Sequence, residues 1–343
     1  MKNIILSLAV VFVLLFGCLG GNEPPQNQTP QVNQTPNVTT NISNVTIIVN
    51  PQQNQTVEQN YTPPLPPEIQ SNETNYTVNP EENFAVYFLY VGDMQNKLQG
   101  DAILIKKGDF DVLVDAGPAQ SSGKLLDFLK SRGIDDIDVL VSTTADPFRY
   151  GGMEAVASYY NVEEFWWSGK DFEKGDYQSL VASISQKAKA VNVLRRGSTY
   201  TLNGMTFTAL NPKDPQFKDV NNDALVLRME DRNFSLVLLS NVQFGAQSEL
   251  VNNQKDLLKV NVMEAPYYGL GVGTSGIANF LQQLRPENVV ISGGPDESAA
   301  SGGSRDPFKR LLDEYKIKYY ENYASGTVRV MSDGTSYSVS YFK

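Results

Sequence analysis

At about residue 83 the sequence changes character. Residues 19–82 are rich in Asn, Gln, Thr and Pro with few large apolar side chains, and such a stretch cannot bury enough surface to offset the entropy of ordering. The expectation is a disordered Asn/Thr/Gln/Pro-rich linker over 19–82, serving as a tether, and one folded domain over 83–343. That domain, about 260 residues long, is large enough to hold a sizeable core.

Within the domain, short apolar runs alternate with helical periodicity. FAVYFLYVG, AILIK and DVLVDAG read as strands, the third ending in Asp115 and a glycine turn. SSGKLLDFLKSRG places Leu125, Leu126, Phe128 and Leu129 on one helical face, with a serine cap before it and Gly133 after it. IDVLVS is a strand, GGMEAVASYY a helix and EEFWWSG a strand. STYTLNGMTFTAL reads as a hairpin about Asn203-Gly204, and ALVLRMEDRNFSLVLLS as a second hairpin. Strand VNVMEAP, helix GIANFLQQL, strand NVVISGG, helix DPFKRLLDEY and two strands about Asp333-Gly334 complete the chain. Strands in two groups, each with helices, predict an α/β fold of two packed sheets with helices on both outer faces.

The N-terminus carries an export pattern. Lys2 precedes an apolar run, Ile4 to Phe16, that is short for a membrane span, followed by Gly17, Cys18 and more small residues. This resembles a lipoprotein signal peptide over 1–18 with Cys18 as the lipidation site, although Phe16 is bulkier than the residue usual there. An uncleaved anchor helix is the alternative, and the short run argues against it. The expected location is the extracellular face of a cell membrane, held by a lipid anchor. The linker carries nine Asn-x-Ser/Thr triplets, at Asn27, Asn33, Asn37, Asn41, Asn44, Asn54, Asn60, Asn72 and Asn75, which are glycan acceptors in an exported chain.

Several functions are excluded by composition. The net charge of −10 makes direct nucleic-acid binding unlike this chain, because neutralising phosphates needs clustered Lys and Arg. Cys18 is the only cysteine and histidine is absent, so disulfides within the chain, thiolate-rich metal sites and Ser/His/Asp or Cys/His catalysis are all ruled out. A Ser/Lys pair stays open. GLGVGTSG, residues 269–276, lacks the ending of a phosphate-binding loop and reads as a loop and helix cap.

The ordered pieces QGDAILI, VLVDAG, LLDFLKSRGIDDIDVLV, Gly151-Gly152, NNDALVLRME and the last DGT hairpin resemble the metallo-β-lactamase-type domain of the ComEC family of DNA-internalisation competence proteins. The resemblance implies an αββα sandwich with a zinc site at the sheet edges. Hydrolases of that type carry Thr-His-x-His-x-Asp-His-x-Gly-Gly where this chain has TTADPFRYGG. On that alignment Thr144 and Asp146 stand at the first two histidines, Phe148 at the aspartate and Arg149 at the third histidine. Val242 falls on a bridging carboxylate, Tyr267 and Tyr268 on a histidine pair, and Asp306 near a late histidine.

Zinc hydrolysis needs about three protein ligands, usually imidazoles with a carboxylate, and an open position for water. The chain does not offer that set, so no metal, no cofactor and no catalytic residue is expected. Oxygen-only coordination of Mg²⁺ or Ca²⁺ would need more converging carboxylates than Asp146 and Asp306 supply. Arg149 is expected to pair with Asp146 or Asp306 in a packed former pocket, and the alternative is an arginine pointing to solvent. Asp101 and Asp115 are expected to hold strand ends and turns, and Asp223 a turn after Asn221-Asn222. Of Trp166 and Trp167, which face opposite ways on a strand, one should lie in the core.

The leading functional expectation is a noncatalytic, membrane-tethered extracellular binding or scaffolding protein, a pseudoenzyme. Its candidate ligand-binding residues are Arg149, Asp146, Tyr267 and Tyr268, facing an unknown protein or small-molecule ligand. The alternative is a hydrolase of phosphodiesters or esters working through a rebuilt site and linked to DNA uptake. A third is surface capture of glycans or nutrients, which would need a concave aromatic site of Trp166, Trp167, Tyr267 and Tyr268.

Overall fold

The computed structural model describes residues 84–342 apart from 171–174, 215, 271–273 and 295–303. The signal at 1–18 with Cys18, the linker at 19–82 and part of the GLGVGTSG loop lie outside the described residues.

The first six strands form one sheet in chain order: β1 (Ala85–Phe88), β2 (Ile103–Lys107), β3 (Phe110–Val114), β4 (Ile137–Ser142), β5 (Val162–Trp167) and β6 (Ala190–Val193). The next seven form a second sheet: β7 (Thr199–Leu202), β8 (Met205–Asn211), β9 (Val226–Asp231), β10 (Phe234–Leu238), β11 (Val262–Glu264), β12 (Asn288–Ile291) and β13 (Lys318–Glu321). The chain then returns to the first sheet with β14 (Val328–Ser332) against β1, and β15 (Tyr337–Tyr341) at the edge. That return is a long-range pairing, which local periodicity does not encode. The first sheet is antiparallel through β1–β3 and parallel through β3–β6, the parallel part being the one with helical crossovers.

Strand alternation sorts the apolar residues into three layers. On β1, Phe84, Val86 and Phe88 face the second sheet, where they join Phe207, Leu227 and Leu236 in the central core. Ala85, Tyr87 and Leu89 face outward under α1 (Ser122–Ser131) and, further along the sheet, the helices that follow the short α2 (Pro147–Tyr150), namely α3 (Met153–Tyr159) and α4 (Gly175–Lys187). The second sheet's outer face carries α5 (Phe244–Gln254), α6 (Thr274–Leu284) and α7 (Asp306–Glu314) over Val237, Met263 and Val289. Burial of each such Leu, Val or Phe is worth about 1.5–3 kcal/mol, so the three layers together form the drive for the sandwich. This is the αββα architecture that the sequence pattern implies.

Local signals hold with one change. Leu125 and Leu129 are buried under α1, and Gly133 ends the helix at φ 71° with its N–H on Lys130 O. Ser121 occupies the cap position but makes no side-chain cap bond, so the helix start rests on the preceding 3₁₀ turn instead. Asn203 and Gly204 both have positive φ, 47° and 74°, which gives the two-residue hairpin its twist-matched turn. The sequence reading omits α4 and α5, whose apolar spacing is diluted by Gln, Ser and Asn, and the short strands β6 and β13.

Candidate functional site

The site lies where strand ends from both sheets meet. Asp115 follows β3, Thr143 follows β4, Ser240 lies just beyond β10 and Glu264 closes β11. Asp101 precedes β2, and the loop 143–152 crosses the gap. Backbone bonds fix that loop. Ala116 N donates to Arg149 O at 2.7 Å, Gly152 N to Gly117 O at 2.9 Å and Asp101 N to Phe148 O at 3.2 Å. The glycine pair is required for this approach, since a Cβ on Gly152 would sit 2.3 Å from Ala116 O and one on Gly151 2.5 Å from Pro147 O.

Arg149 stands at the centre, 1% exposed. Its Nη1 lies 3.0 Å from Asp101 Oδ2 and 3.2 Å from Asp115 Oδ2, and its Nη2 lies 2.9 Å from Glu264 Oε1. Nε donates to Asn241 Oδ1 at 2.7 Å, and the Tyr268 ring stacks beneath the guanidinium at 4.7 Å. The arginine therefore does not point to solvent. The expected partners, Asp146 and Asp306, are replaced by Asp101, Asp115 and Glu264, because the side chain turns inward between the sheets rather than along its own loop. Asp101 and Asp115, expected only to hold strand ends, are ion-pair partners. Asp115 does both, accepting from Thr143 N at 3.0 Å and Thr143 Oγ1 at 2.6 Å.

A second tier of contacts surrounds the guanidinium. The Thr143 hydroxyl proton goes to Asp115, so Ser240 Oγ, 2.6 Å from Thr143 Oγ1, is the donor in that contact. Ser240 N donates to Glu264 Oε2 at 3.0 Å. Asp146 caps α2 by accepting from Phe148 N at 2.9 Å, while its other oxygen accepts from Asn241 Nδ2 at 2.8 Å and Tyr268 Oη at 3.0 Å. The backbone here is left-handed at four non-glycine residues, Asp115, Ser240, Tyr267 and Tyr268, with φ between 49° and 58°. Such conformations persist only where the surroundings over-determine them.

One cation faces three buried carboxylates, and this imbalance decides their protonation. Burial and the neighbouring Glu264 push Asp101 well above the usual carboxylate range, with Arg149 opposing. Glu264 is held below it: burial raises it, but Arg149, Asp101 and the Ser240 N–H outweigh that. Burial raises Asp115 to about 6 against Arg149 and Thr143. Burial works against the charge on Arg149, yet Glu264, Tyr268 and the two aspartates keep it firmly cationic. Asp101 is thus biased toward its protonated form, and neither of its oxygens accepts a well-aligned hydrogen bond.

The other sequence-singled residues scatter. Thr144 is buried with its hydroxyl on Val220 O at 2.9 Å, turned away from Arg149. Val242 packs in the outer core of the second sheet, Phe148 is half-buried, and Tyr267 is half-buried beside Tyr268 with ring centroids 6.1 Å apart. Asp306 is exposed on α7 and lies 4.0 Å from Lys309. Its neighbour Arg305 is the buried residue, donating to Tyr268 O at 2.8 Å and Gln99 Oε1 at 3.0 Å. Trp166 lies in the central core against Tyr200, and Trp167 packs toward the outer helices, so with Tyr268 also buried they form no concave aromatic platform. Asp223 accepts from Phe217 N and Asp219 N as turn chemistry and also pairs with Lys170. Glu264, Asn241 and Arg305 were not singled out beforehand. Glu264 had a signal, an acid closing an apolar strand two residues before Pro266.

The zinc that the sandwich family implies does not fit these residues. Arg149 brings a permanent cation into the cleft, Val242 and Tyr268 have no carboxylate or imidazole to offer, and the chain has no histidine. Among the described residues no group of three or more His, Cys, Asp or Glu is arranged to hold a metal ion.

Two sheets under two helical layers, with a loop running from Thr143 through seven residues to Gly151-Gly152 at the strand ends, give a metallo-β-lactamase-like fold. The chain is similar to ComE operon protein 3 of Bacillus subtilis (strain 168), 24% identical over 205 residues, or 60% of this chain and 26% of that protein. It thus spans about a quarter of the length of the curated relative it matches. No family model matches. Among solved structures, the metallo-β-lactamase fold protein YhfI from Bacillus subtilis superimposes with a TM-score of 0.48 at 12% identity, covering 72% of this chain and 99% of that one. Igni18, a metallo hydrolase from Ignicoccus hospitalis, gives 0.47 at 14% identity, covering 76% and 100%.

Proposed function

We propose that the chain is a noncatalytic, membrane-tethered extracellular binding or scaffolding protein built on a metallo-β-lactamase-like domain. The observation that carries this reading is the burial of Arg149 among Asp101, Asp115 and Glu264, which fills with a fixed cation the place where a metal-activated water would be needed. Three acids are turned to a guanidinium, and the Tyr268 ring packs against it. The role left to such a domain is to present its surface. The Lys2–Cys18 pattern supports lipid anchoring outside the cell, and the partner is a protein or small molecule rather than nucleic acid, in keeping with the acidic charge. No helix among the described residues is long and apolar enough to cross a membrane.

The test is metal uptake and turnover by the full chain. Equilibration with zinc or manganese should leave no stoichiometric metal after gel filtration, and a generic phosphodiester should not be hydrolysed. Tight uptake with turnover would favour a rebuilt hydrolytic site and end the noncatalytic reading. Release of the protein from membranes by Cys18→Ser tests the anchor separately.

A further inference from the structure

We propose that Asn233 is an asparagine-linked glycan acceptor on the folded domain, with a lipid-phosphate-linked oligosaccharide as the donor. Asn233-Phe234-Ser235 is the one Asn-x-Ser/Thr triplet after residue 83, and it lies outside the compositional bias that makes such triplets frequent in the linker. The fold puts its asparagine where a sugar can be carried. Asn233 is exposed in the two-residue turn between β9 and β10, with Arg232 left-handed at φ 53°. Its backbone N–H donates to Gly334 O at 2.9 Å, which pins this turn to the last hairpin. Beside Arg232 runs an open groove of about 570 Å³, lined by Phe84, Arg232, Asp333, Ser336 and Tyr337 among others, with room for the first sugar residues.

The neighbouring residues set the order of events. Phe234 is 3% exposed in the central core, and Ser235 is held by Asn261, its N–H at 2.9 Å and its hydroxyl at 3.3 Å from Asn261 Oδ1. The triplet is therefore accessible as a unit only before β10 pairs with β11, so transfer precedes folding. In the transfer, Asn233 Nδ2 forms a bond to the anomeric carbon, the bond from that carbon to the lipid phosphate breaks, and one amide proton is lost. In the folded product the sugar is borne by the exposed asparagine, while Phe234 and Ser235 are packed and bonded.

Position gives the glycan a meaning. Phe84, the first described residue, packs edge-on against Phe234 with ring centroids 5.6 Å apart, so the sugar sits at the end of the sandwich where the described chain begins. Seven residues of extended chain, about 23 Å, separate Asn233 from Ser240 at the Arg149 end. The glycan would cover that end of the sandwich and leave the Arg149 end bare.

The inference rests on the exported reading above, and one experiment separates the two. The full chain is purified from cells that glycosylate exported proteins on asparagine, and its peptides are weighed before and after amidase release, which converts each glycosylated Asn to Asp. Conversion at Asn233 together with linker asparagines such as Asn72 and Asn75 is the expected result, and Ser235→Ala should abolish conversion at Asn233 alone. Converted linker asparagines with an unmodified Asn233 would overturn this site while leaving export standing. No conversion anywhere would overturn both.

Discussion

Arg149 Nη2 and Glu264 Oε1, 2.9 Å apart, join a loop of the first sheet to a strand of the second inside the protein. Removing the guanidinium leaves buried acids without a counter-charge, a loss of about 3–5 kcal/mol for a broken buried ion pair. Arg149→Met should lower the unfolding free energy by that much, measured by urea unfolding at neutral pH. Arg149→Lys should recover only part of it, since an ammonium cannot reach Asn241, Glu264 and the two aspartates with one planar fork. Equal stability of Arg149→Met and wild type would remove the clasp from the account.

Tyr268 can be divided into ring and hydroxyl. Tyr268→Phe keeps the ring under Arg149 and deletes the bond to Asp146, so a loss of about 1–1.5 kcal/mol is expected in the same assay. Tyr268→Ala, which also removes the packing, should cost about 3–5 kcal/mol.

The pH dependence follows from the raised acids. Burial lifts Asp115 to about 6, and burial lifts Asp111 to about 7 against its pairing with Lys106. A folded-state value above the unfolded one means the folded chain binds more protons, so stability falls as pH rises from about 4 through 7. Glu264 acts the other way, its contribution being present above its unfolded value and lost in acid. The thermal midpoint should therefore decline between pH 5 and 8. Asp111→Asn should flatten that decline, and an unchanged slope in the variant would contradict the assignment.

Gly152→Ala places a methyl 2.3 Å from Ala116 O, against backbone that cannot give way cheaply. A loss of about 3 kcal/mol, the upper part of the range for overpacking, is expected from chemical denaturation. Gly108→Ala is the control: its added Cβ meets nothing within 4 Å, though φ is 64°, so its cost is set by backbone strain alone, about 1–2 kcal/mol.

Much of the sandwich was legible because strand alternation and turn chemistry are local. Asn203-Gly204 announces its hairpin, and the FAVYFLYVG run announces a strand buried on both faces. The return of β14 to β1 was not legible, since nothing near Val328 specifies a partner more than 200 residues earlier. At the site, the missing histidines could be read directly. The partners of Arg149 could not. Asp101 and Asp115 carry the same letters as turn-forming aspartates, and only the meeting of four strand ends makes them counter-ions. Arg305 was missed by a single position because the segment before α7 offers no periodicity to fix the register.

The Arg149 clasp also bears on how this domain can change over generations. Exchanging Arg149 alone for a metal ligand would strand three buried acids, and exchanging any one acid would unbalance the others. Single exchanges at this centre thus carry a stability cost that exchanges on solvent-facing loops do not. The interior acts as an evolutionary ratchet, steering innovation to the surface.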